Sequence, residues 1–210
     1  MPESNTPLSS FDFEAAAKAF VVPDDDSAAS RRTRSYLHTY PLLLKRFGEL
    51  NTPDDLLFAA MATYAWMGRV LIVDGPVTTE TLEAFLRARE AEEPSGADLG
   101  HLVGVFNNSI VGVSKMLHFA APQQHAIWDS KVCHVLHGKS YYHFVNQLDR
   151  YRTYERDLRT RVANANFEAV RLCVNEKLNG SANRYGGYEV AISPLRAAEL
   201  LLFTRANASS

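Results

Sequence analysis

An aspartate and a lysine in the middle of the chain are the residues best placed to do chemistry. Both lie in the segment VGVSKMLHFAAPQQHAIWDSKVCHVLHG, residues 111–138, where Lys115 is on an apolar helix and Asp129 begins the next helix. A carboxylate at a helix N-cap accepts backbone N–H bonds, and the helix dipole favours its charged form. The sequence therefore predicts a stable, oriented anion at Asp129.

An anion of this kind suits the cleavage of a bond between a base and a sugar. As the base departs, the sugar develops oxocarbenium-like positive charge, which a preorganised carboxylate stabilises. The same carboxylate can orient or deprotonate the attacking water. The alternative is that Asp129 only caps its helix, because Asp is among the commonest N-cap residues and most caps take no part in chemistry.

The elements that must position these two residues are helices. Thr52 and Pro53 have the residue types of an N-cap and a first helical position, as do Ser193 and Pro194, and Gly138 is placed to end the helix that Asp129 begins. Strand signals are few, with YEVAIS and RVLIVDG the only short candidates. These patterns predict an all-α protein.

We expect a compact bundle of about eight to ten helices in two closely packed lobes. Residues 1–210 should form a single helical unit, with the hairpin and the aspartate in region 100–138 and frayed ends at 1–10 and 206–210. The chain is 46% apolar, which is enough to bury a sizeable core.

Composition also narrows the class of protein. No run approaches 18 apolar residues and MPESNTPLSSFDFE lacks a charged-then-apolar leader, so we expect no membrane partner and a cytoplasmic location. Cys133 and Cys173 are the only cysteines, which excludes a cysteine zinc site or a four-cysteine iron–sulfur cluster. His134 and His137 have helical spacing but no third ligand follows, so we expect no metal and no cofactor.

Charge is divided along the chain although the net charge is only -2. Residues 1–100 carry 9 basic and 16 acidic side chains, whereas residues 131–186 carry 10 basic and 5 acidic. This asymmetry predicts one basic face, as in proteins that bind polyanions. The alternative is a solvated helix, because DRYRTYERDLRTR mixes both signs at helical spacing.

The order of parts around Asp129 resembles the helix-hairpin-helix superfamily of DNA glycosylases. In that family a Gly-rich hairpin is followed by a lysine, and the catalytic aspartate follows an apolar residue at the start of a later helix. Here VGVSK at 111–115 stands at the end of the hairpin and IWDSKV at 127–132 holds the aspartate. The resemblance covers roughly residues 100–138 and implies that Asp129 is the catalytic carboxylate of a helical, glycosylase-like fold.

Two departures from the family pattern bear on the mechanism. Lys115 precedes Asp129 by 14 residues, about one helical turn fewer than for the Schiff-base lysine of bifunctional members, and NNSIVGVSK replaces the usual Leu-Pro-Gly-x-Gly of the hairpin. We expect a monofunctional enzyme in which Asp129 and water act while Lys115 holds DNA or pairs with a carboxylate. Schiff-base chemistry by Lys115 and a purely structural lysine are the alternatives.

An enzyme of this class must extrude its target base and hold it by stacking and hydrogen bonds. The candidates for that pocket are aromatic, imidazole and amide side chains: Tyr64, Trp66, Asn107, Asn108, His118 and Trp128. Each has a structural alternative, since aromatic and imidazole rings at helical spacing are often core residues and asparagines often cap turns.

Candidates for contacts to the DNA backbone are Ser114, Ser130, Lys131 and Arg184. Ser130 and Lys131 lie in the first turn of the Asp129 helix, where backbone N–H groups point at an incoming anion. Arg184 is placed in a Gly- and Asn-rich loop after a helix ending near Leu178, and it can equally be an ordinary surface arginine.

Two classes of function follow. The first is a monomeric DNA glycosylase that hydrolyses the N-glycosidic bond of a flipped, damaged or modified base in double-stranded DNA and leaves an abasic site. It would serve repair or the removal of modified bases from phage DNA. The second is a non-catalytic helical module that binds DNA or protein and in which Asp129 is only a cap. The identity of the base depends on pocket shape, which the sequence does not predict.

Overall fold

A computed structural model describes residues 7–23, 25, 27–184 and 187–208. After a 3-10 helix at Pro7–Ser10, the α-helices are α1 (Phe13–Ala19), α2 (Ala28–Gly48), α3 (Pro53–Trp66), α4 (Thr79–Glu90), α5 (Gly96–Val105), α6 (Ile110–Ala120), α7 (Ser130–His137), α8 (Tyr142–Val145), α9 (Leu148–Val162), α10 (Phe167–Arg184) and α11 (Pro194–Ala208). The predicted all-α class is confirmed. Within the described residues there are eleven α-helices. Two of them are short, since α1 has seven residues and α8 has four.

No strand forms in the described ranges, where β pairing is confined to one isolated antiparallel bridge between Val73 and Phe106. Nor does any helix in them have the combination of length and apolar character that crossing a bilayer requires. The predicted frayed ends fall partly on residues 1–6 and 209–210, which lie outside the described residues.

Local signals placed several helix ends correctly. The Thr52 side chain accepts the N–H of Asp55, whose carboxylate accepts the N–H of Thr52, and this reciprocal capping box starts α3 at Pro53. Gly138 ends α7 in the left-handed conformation, with φ 65°. These contacts lie within a few residues of one another, which is why the sequence predicts them.

The end of α10 differs from the prediction. The helix does not stop near Leu178 but continues to Arg184, so this arginine ends a helix instead of lying in a loop. Burial of Ser181 and Ala182 explains the extension. In addition, the Asn179 side chain accepts the N–H of Val190, which holds the returning chain against the helix. Residues 185–186 of the expected loop lie outside the described residues.

Helix α6 runs through the core. Nine of its eleven residues are buried, and α2, α3, α4 and α5 pack around it. One hydrophobic cluster joins buried residues from Leu8 to Leu202. Helix α7 packs mainly against α11. The segment between Ala121 and Asp129 therefore connects the buried α6 to a helix held by the last element of the chain.

Candidate functional site

Asp129 is the N-cap of α7, as predicted. Its Oδ1 accepts hydrogen bonds from the backbone N–H groups of Lys131 (2.9 Å) and Val132 (3.0 Å). The residue is half-buried. No donor among the described residues reaches Oδ2. One carboxylate oxygen therefore fixes the side chain at the mouth of α7, and the other is left for a different partner.

The segment that leads to Asp129 is held first by Glu155 of α9. Glu155 Oε1 accepts the N–H of Ala126 at 3.0 Å and lies 3.2 Å from Nδ1 of His125. The other ring nitrogen of His125 lies 3.1 Å from the carbonyl oxygen of Arg89, on α4. His125 and Glu155 are both buried, so this clamp ties the segment to two helices away from solvent.

The last two residues before the aspartate, Ile127 and Trp128, are also held by hydrogen bonds. The Tyr154 hydroxyl donates to the carbonyl of Ile127 at 3.2 Å, and the N–H of Trp128 donates to Ser114 Oγ at 3.1 Å. The Trp128 indole N–H donates to the carbonyl of Val145 at 2.8 Å, and its ring centre lies 5.0 Å from that of Tyr154. Every residue from 125 to 128 is thus anchored, which orients the backbone at Asp129.

Trp128 and Ser114 are both 0% exposed. The Trp128 ring is packed and its only polar hydrogen is bonded, so we place it in the core and not against a base. Ser114 holds the backbone of Trp128 and does not reach the surface, so we assign it no contact to DNA.

Lys115 lies directly beneath this segment. Its side chain is buried, and Nζ donates to the carbonyl of Trp128 at 3.4 Å. Burial lowers the pKa of the amine, while the negative charges of Asp129 and Glu199 act in the opposite direction. From this position Lys115 does not hold the DNA backbone, and of the predicted roles, the structural lysine fits its burial and its bond to the Trp128 carbonyl best.

Two further charged residues interact electrostatically with Lys115 and Asp129, and neither was predicted from the sequence. Arg196 and Glu199 of α11 form a buried ion pair. Burial raises the pKa of Glu199 to about 7; the positive charge of Arg196 acts against the rise and that of Asp129 adds to it. The available signal was the i, i+3 pair of charges in the otherwise apolar SPLRAAELLLF, because such a helix must bury part of its charge.

His118 is fully buried and both of its ring nitrogens are bonded. Nδ1 lies 2.8 Å from the carbonyl oxygen of His125, and Nε2 lies 2.8 Å from the Tyr40 hydroxyl. A carbonyl only accepts, so Nδ1 carries the hydrogen and Nε2 accepts from Tyr40. Burial lowers the pKa of His118 well below 6.5, in keeping with a neutral ring. We therefore assign His118 to the core.

Tyr64 and Trp66 lie near the end of α3, which packs against α6. Tyr64 is 3% exposed, and its hydroxyl donates to the carbonyl of Phe106 at 3.2 Å. Trp66 is half-buried with its ring centre 5.3 Å from that of Phe119, and its indole N–H has no partner in the described ranges. Of the two, Trp66 keeps some accessible surface, but its indole N–H is itself buried.

Asn107 and Asn108 form the turn between α5 and α6. Both have left-handed backbone angles, φ 58° and 46°, which asparagine tolerates better than most residues. The Asn107 side chain bonds the N–H of Ile72 and the carbonyl of Val70. Its amide therefore holds the distant segment 70–72 against the turn, a long-range contact that differs from the local turn cap expected as the structural alternative.

The remaining predicted residues lie at the surface. Ser130 and Lys131 are exposed in the first turn of α7, next to Asp129, and Lys131 Nζ lies 4.4 Å from the ring centre of Phe203. Arg184 is exposed at the end of α10. The structure thus places Lys115, Asp129, Ser130 and Lys131 together at the N-terminus of α7.

Two surface clefts of about 260 and 290 Å³ lie along α9, and neither is lined by Asp129. The first is bordered by Arg152, Arg156 and Arg159 together with three carboxylates. No group of three or more His, Cys, Asp or Glu side chains in the described part of the chain is placed to hold a metal ion.

Comparison with known proteins identifies no relative: no family model matches the chain, and no curated protein or solved structure matches it.

Proposed function

We propose that this protein is a monofunctional DNA glycosylase that hydrolyses the N-glycosidic bond of a flipped, damaged or modified base. The observation that carries the proposal is the Asp129 carboxylate, held at the mouth of α7 through Oδ1, with no donor at Oδ2 among the described residues. Such a group can stabilise the developing oxocarbenium charge with little reorganisation and can orient a water at Oδ2.

The anchoring of residues 125–128 supports this role. A catalytic carboxylate must be held to within a fraction of an ångström, and the buried bonds from Ser114, Glu155 and Tyr154 restrict the backbone that leads to Asp129. A helix cap alone does not require such bracing, because the Asp12 cap of α1 works without a buried network.

The buried charges behind Asp129 also support a functional site. Burying Lys115, Arg196 and Glu199 together costs free energy that an apolar core would avoid, and such clusters are enriched at active sites. In the proposal Lys115 is a positioning residue, since its amine bonds the carbonyl of Trp128. Ser130 and Lys131, exposed beside Asp129, would contact phosphates of double-stranded DNA.

A non-catalytic helical binding module is the second candidate. It is favoured by the burial of Tyr64, His118 and Trp128, because these side chains then contribute to the core and not to a base pocket. In that case Asp129 would be a cap and the basic residues of α9 would supply the binding face.

Base release separates the two candidates. Purified protein is incubated with genomic DNA from several sources, including phage DNA with modified bases, and released bases are detected by mass spectrometry. We expect base release by the wild-type protein and none by Asp129→Asn. Asparagine caps helices as well as aspartate does, so the loss of stability should stay below about 1 kcal/mol.

Asp12→Asn is the matched control, because Asp12 caps α1 through the same kind of bond, from the N–H of Ala15 at 2.9 Å. This variant should release bases at the wild-type rate. Base release that persists in Asp129→Asn would remove the proposed role of the carboxylate. The absence of release from every DNA tested would favour the binding module.

A further inference from the structure

The hairpin between α5 and α6 uses backbone donors at its second helix within the protein itself. The N–H of Ile110 donates to Asn146 Oδ1 at 2.8 Å, and the N–H of Gly112 donates to Ser109 Oγ at 3.3 Å. Free N–H groups at a helix N-terminus are the ones that bind phosphate. With these two taken, contact to a DNA strand near the hairpin must come largely from other groups.

Two neighbouring tyrosines beside the hairpin present their rings to solvent. Tyr141 is 59% exposed and Tyr142 is 57% exposed, although tyrosine usually buries most of its ring. They follow the end of α7 and begin α8. Exposed aromatic faces are the surfaces on which unpaired bases stack.

Tyr142 is bonded to the hairpin turn, and Tyr141 contacts a neighbouring ring of α8. The Tyr142 hydroxyl donates to the carbonyl of Asn108 at 3.1 Å, and the Asn146 amide donates to the same carbonyl at 2.6 Å. The Tyr141 ring centre lies 5.5 Å from that of Phe144. The Tyr142 ring is therefore held by its hydroxyl before any ligand arrives, and the Tyr141 ring packs beside Phe144, which lowers the entropic cost of stacking.

Two cations lie against Phe144, the ring that contacts Tyr141. The Arg150 guanidinium lies 3.5 Å from the ring centre of Phe144, and Lys139 Nζ lies 5.1 Å from the same centre. Between residues 138 and 150 the only acidic residue is Asp149, which borders the cleft along α9. Aromatic rings interleaved with basic side chains are the pattern of single-strand binding surfaces.

We propose that Tyr141, Tyr142, Lys139 and Arg150 bind a single-stranded stretch of DNA. Unpaired bases stack on the two tyrosine rings, and the two cations lie beside the phosphates. The choice of DNA rests on the proposed function. In that setting the surface would hold the strand next to the hairpin where the duplex is opened.

The test is fluorescence anisotropy with the full chain and a labelled oligonucleotide of about 15 thymidines, a length that matches single-strand sites. Tyr141→Ala should weaken binding by about 5- to 100-fold, the loss expected for one stacked base. Tyr141→Phe should bind like the wild-type protein because it keeps the ring. Tyr188→Ala is the matched control, since Tyr188 is 61% exposed and lies in the segment between α10 and α11.

The cations are tested by salt dependence. In a plot of log affinity against log salt, Lys139→Gln and Arg150→Gln should each reduce the slope by about 0.7, the value for one phosphate contact to a single strand. Failure of the wild-type protein to bind, or equal affinities for Tyr141→Ala and Tyr188→Ala, would overturn this proposal.

The two proposals fail separately. Binding that depends on Tyr141 without any base release would leave this surface standing and would remove the glycosylase. Base release that depends on Asp129, with oligonucleotide affinity unchanged in Tyr141→Ala, would support the glycosylase and would remove the single-strand surface.

Discussion

The amine of Lys115 donates to the carbonyl of Trp128 across 3.4 Å, one residue before Asp129. The lysine comes from the buried α6 and the aspartate begins α7, so this bond joins the two helices at the site. Because the Lys115 side chain is only 6% exposed, it acts on the position of the aspartate more readily than on a substrate.

We predict that Lys115 forms no covalent adduct with DNA. The amine is covered and bonded to the protein, so a sugar carbon cannot reach it without opening the α6–α7 junction. Borohydride added during the reaction should trap no cross-linked species on a denaturing gel. A trapped species that disappears in Lys115→Gln would show Schiff-base chemistry and contradict this expectation.

Glu199 should make stability depend on pH. Its pKa is about 7 in the folded protein and 4.5 for the ordinary group, so between these values the folded state holds a proton that the unfolded chain has lost. Stability from this group is therefore present below pH 4.5 and is lost as the pH rises through about 7.

The measurement is urea unfolding at pH 5 and pH 7.5 for the wild-type protein and Glu199→Gln. Relative to the variant, the wild-type protein should lose on the order of 2 kcal/mol between the two conditions. Comparison with the variant is needed because His118, with its lowered pKa, acts in the opposite direction below pH 6.5. An equal response to pH in both proteins would contradict the prediction. Glu176→Gln serves as the control, because Glu176 is an exposed residue of α10.

Gly112→Ala should destabilise the fold. A Cβ atom at Gly112 would lie 2.0 Å from the Tyr64 hydroxyl oxygen, and Tyr64 is buried and bonded to the carbonyl of Phe106. We expect a loss of about 1–3 kcal/mol in urea unfolding, as for other overpacked cores.

Gly104→Ala on the adjoining α5 is the control for this prediction. A Cβ atom there meets nothing within 4 Å, and alanine favours the helix by about 0.5–1 kcal/mol. This variant should be as stable as the wild-type protein or more so. Tyr64→Leu combined with Gly112→Ala should recover part of the loss, and additive effects of the two changes would argue against a direct clash.

Glu155→Ala should loosen the segment before Asp129. The change leaves the buried N–H of Ala126 without its acceptor and Nδ1 of His125 without its partner, which costs about 2–4 kcal/mol for two buried groups. Glu155→Gln keeps an acceptor and should lose less. Hydrogen exchange at residues 125–129 reports the local effect, and unchanged protection in Glu155→Ala would show that the clamp is not needed.

Features that depend on neighbouring residues could be predicted from the sequence. The Thr52 and Asp129 caps follow from side chains that bond backbone a few residues away, and Gly138 ends its helix because glycine readily adopts the left-handed conformation. The two helices around the Asn107 turn follow from their runs of apolar residues. Because such contacts need no knowledge of packing, the all-α class and the place of Asp129 were both accessible.

Only the tertiary structure decided what surrounds the aspartate. Glu199 lies 70 positions beyond Asp129 in the chain, and nothing local to either residue indicates that α11 packs on α7. Long-range contacts also bury Trp128, which packs on Tyr154 of α9, and His118, which bonds Tyr40 of α2, although either ring could equally have faced a cavity. Burial depends on which helix faces meet across the core, and that choice is made by the whole set of apolar surfaces together, not by any single segment.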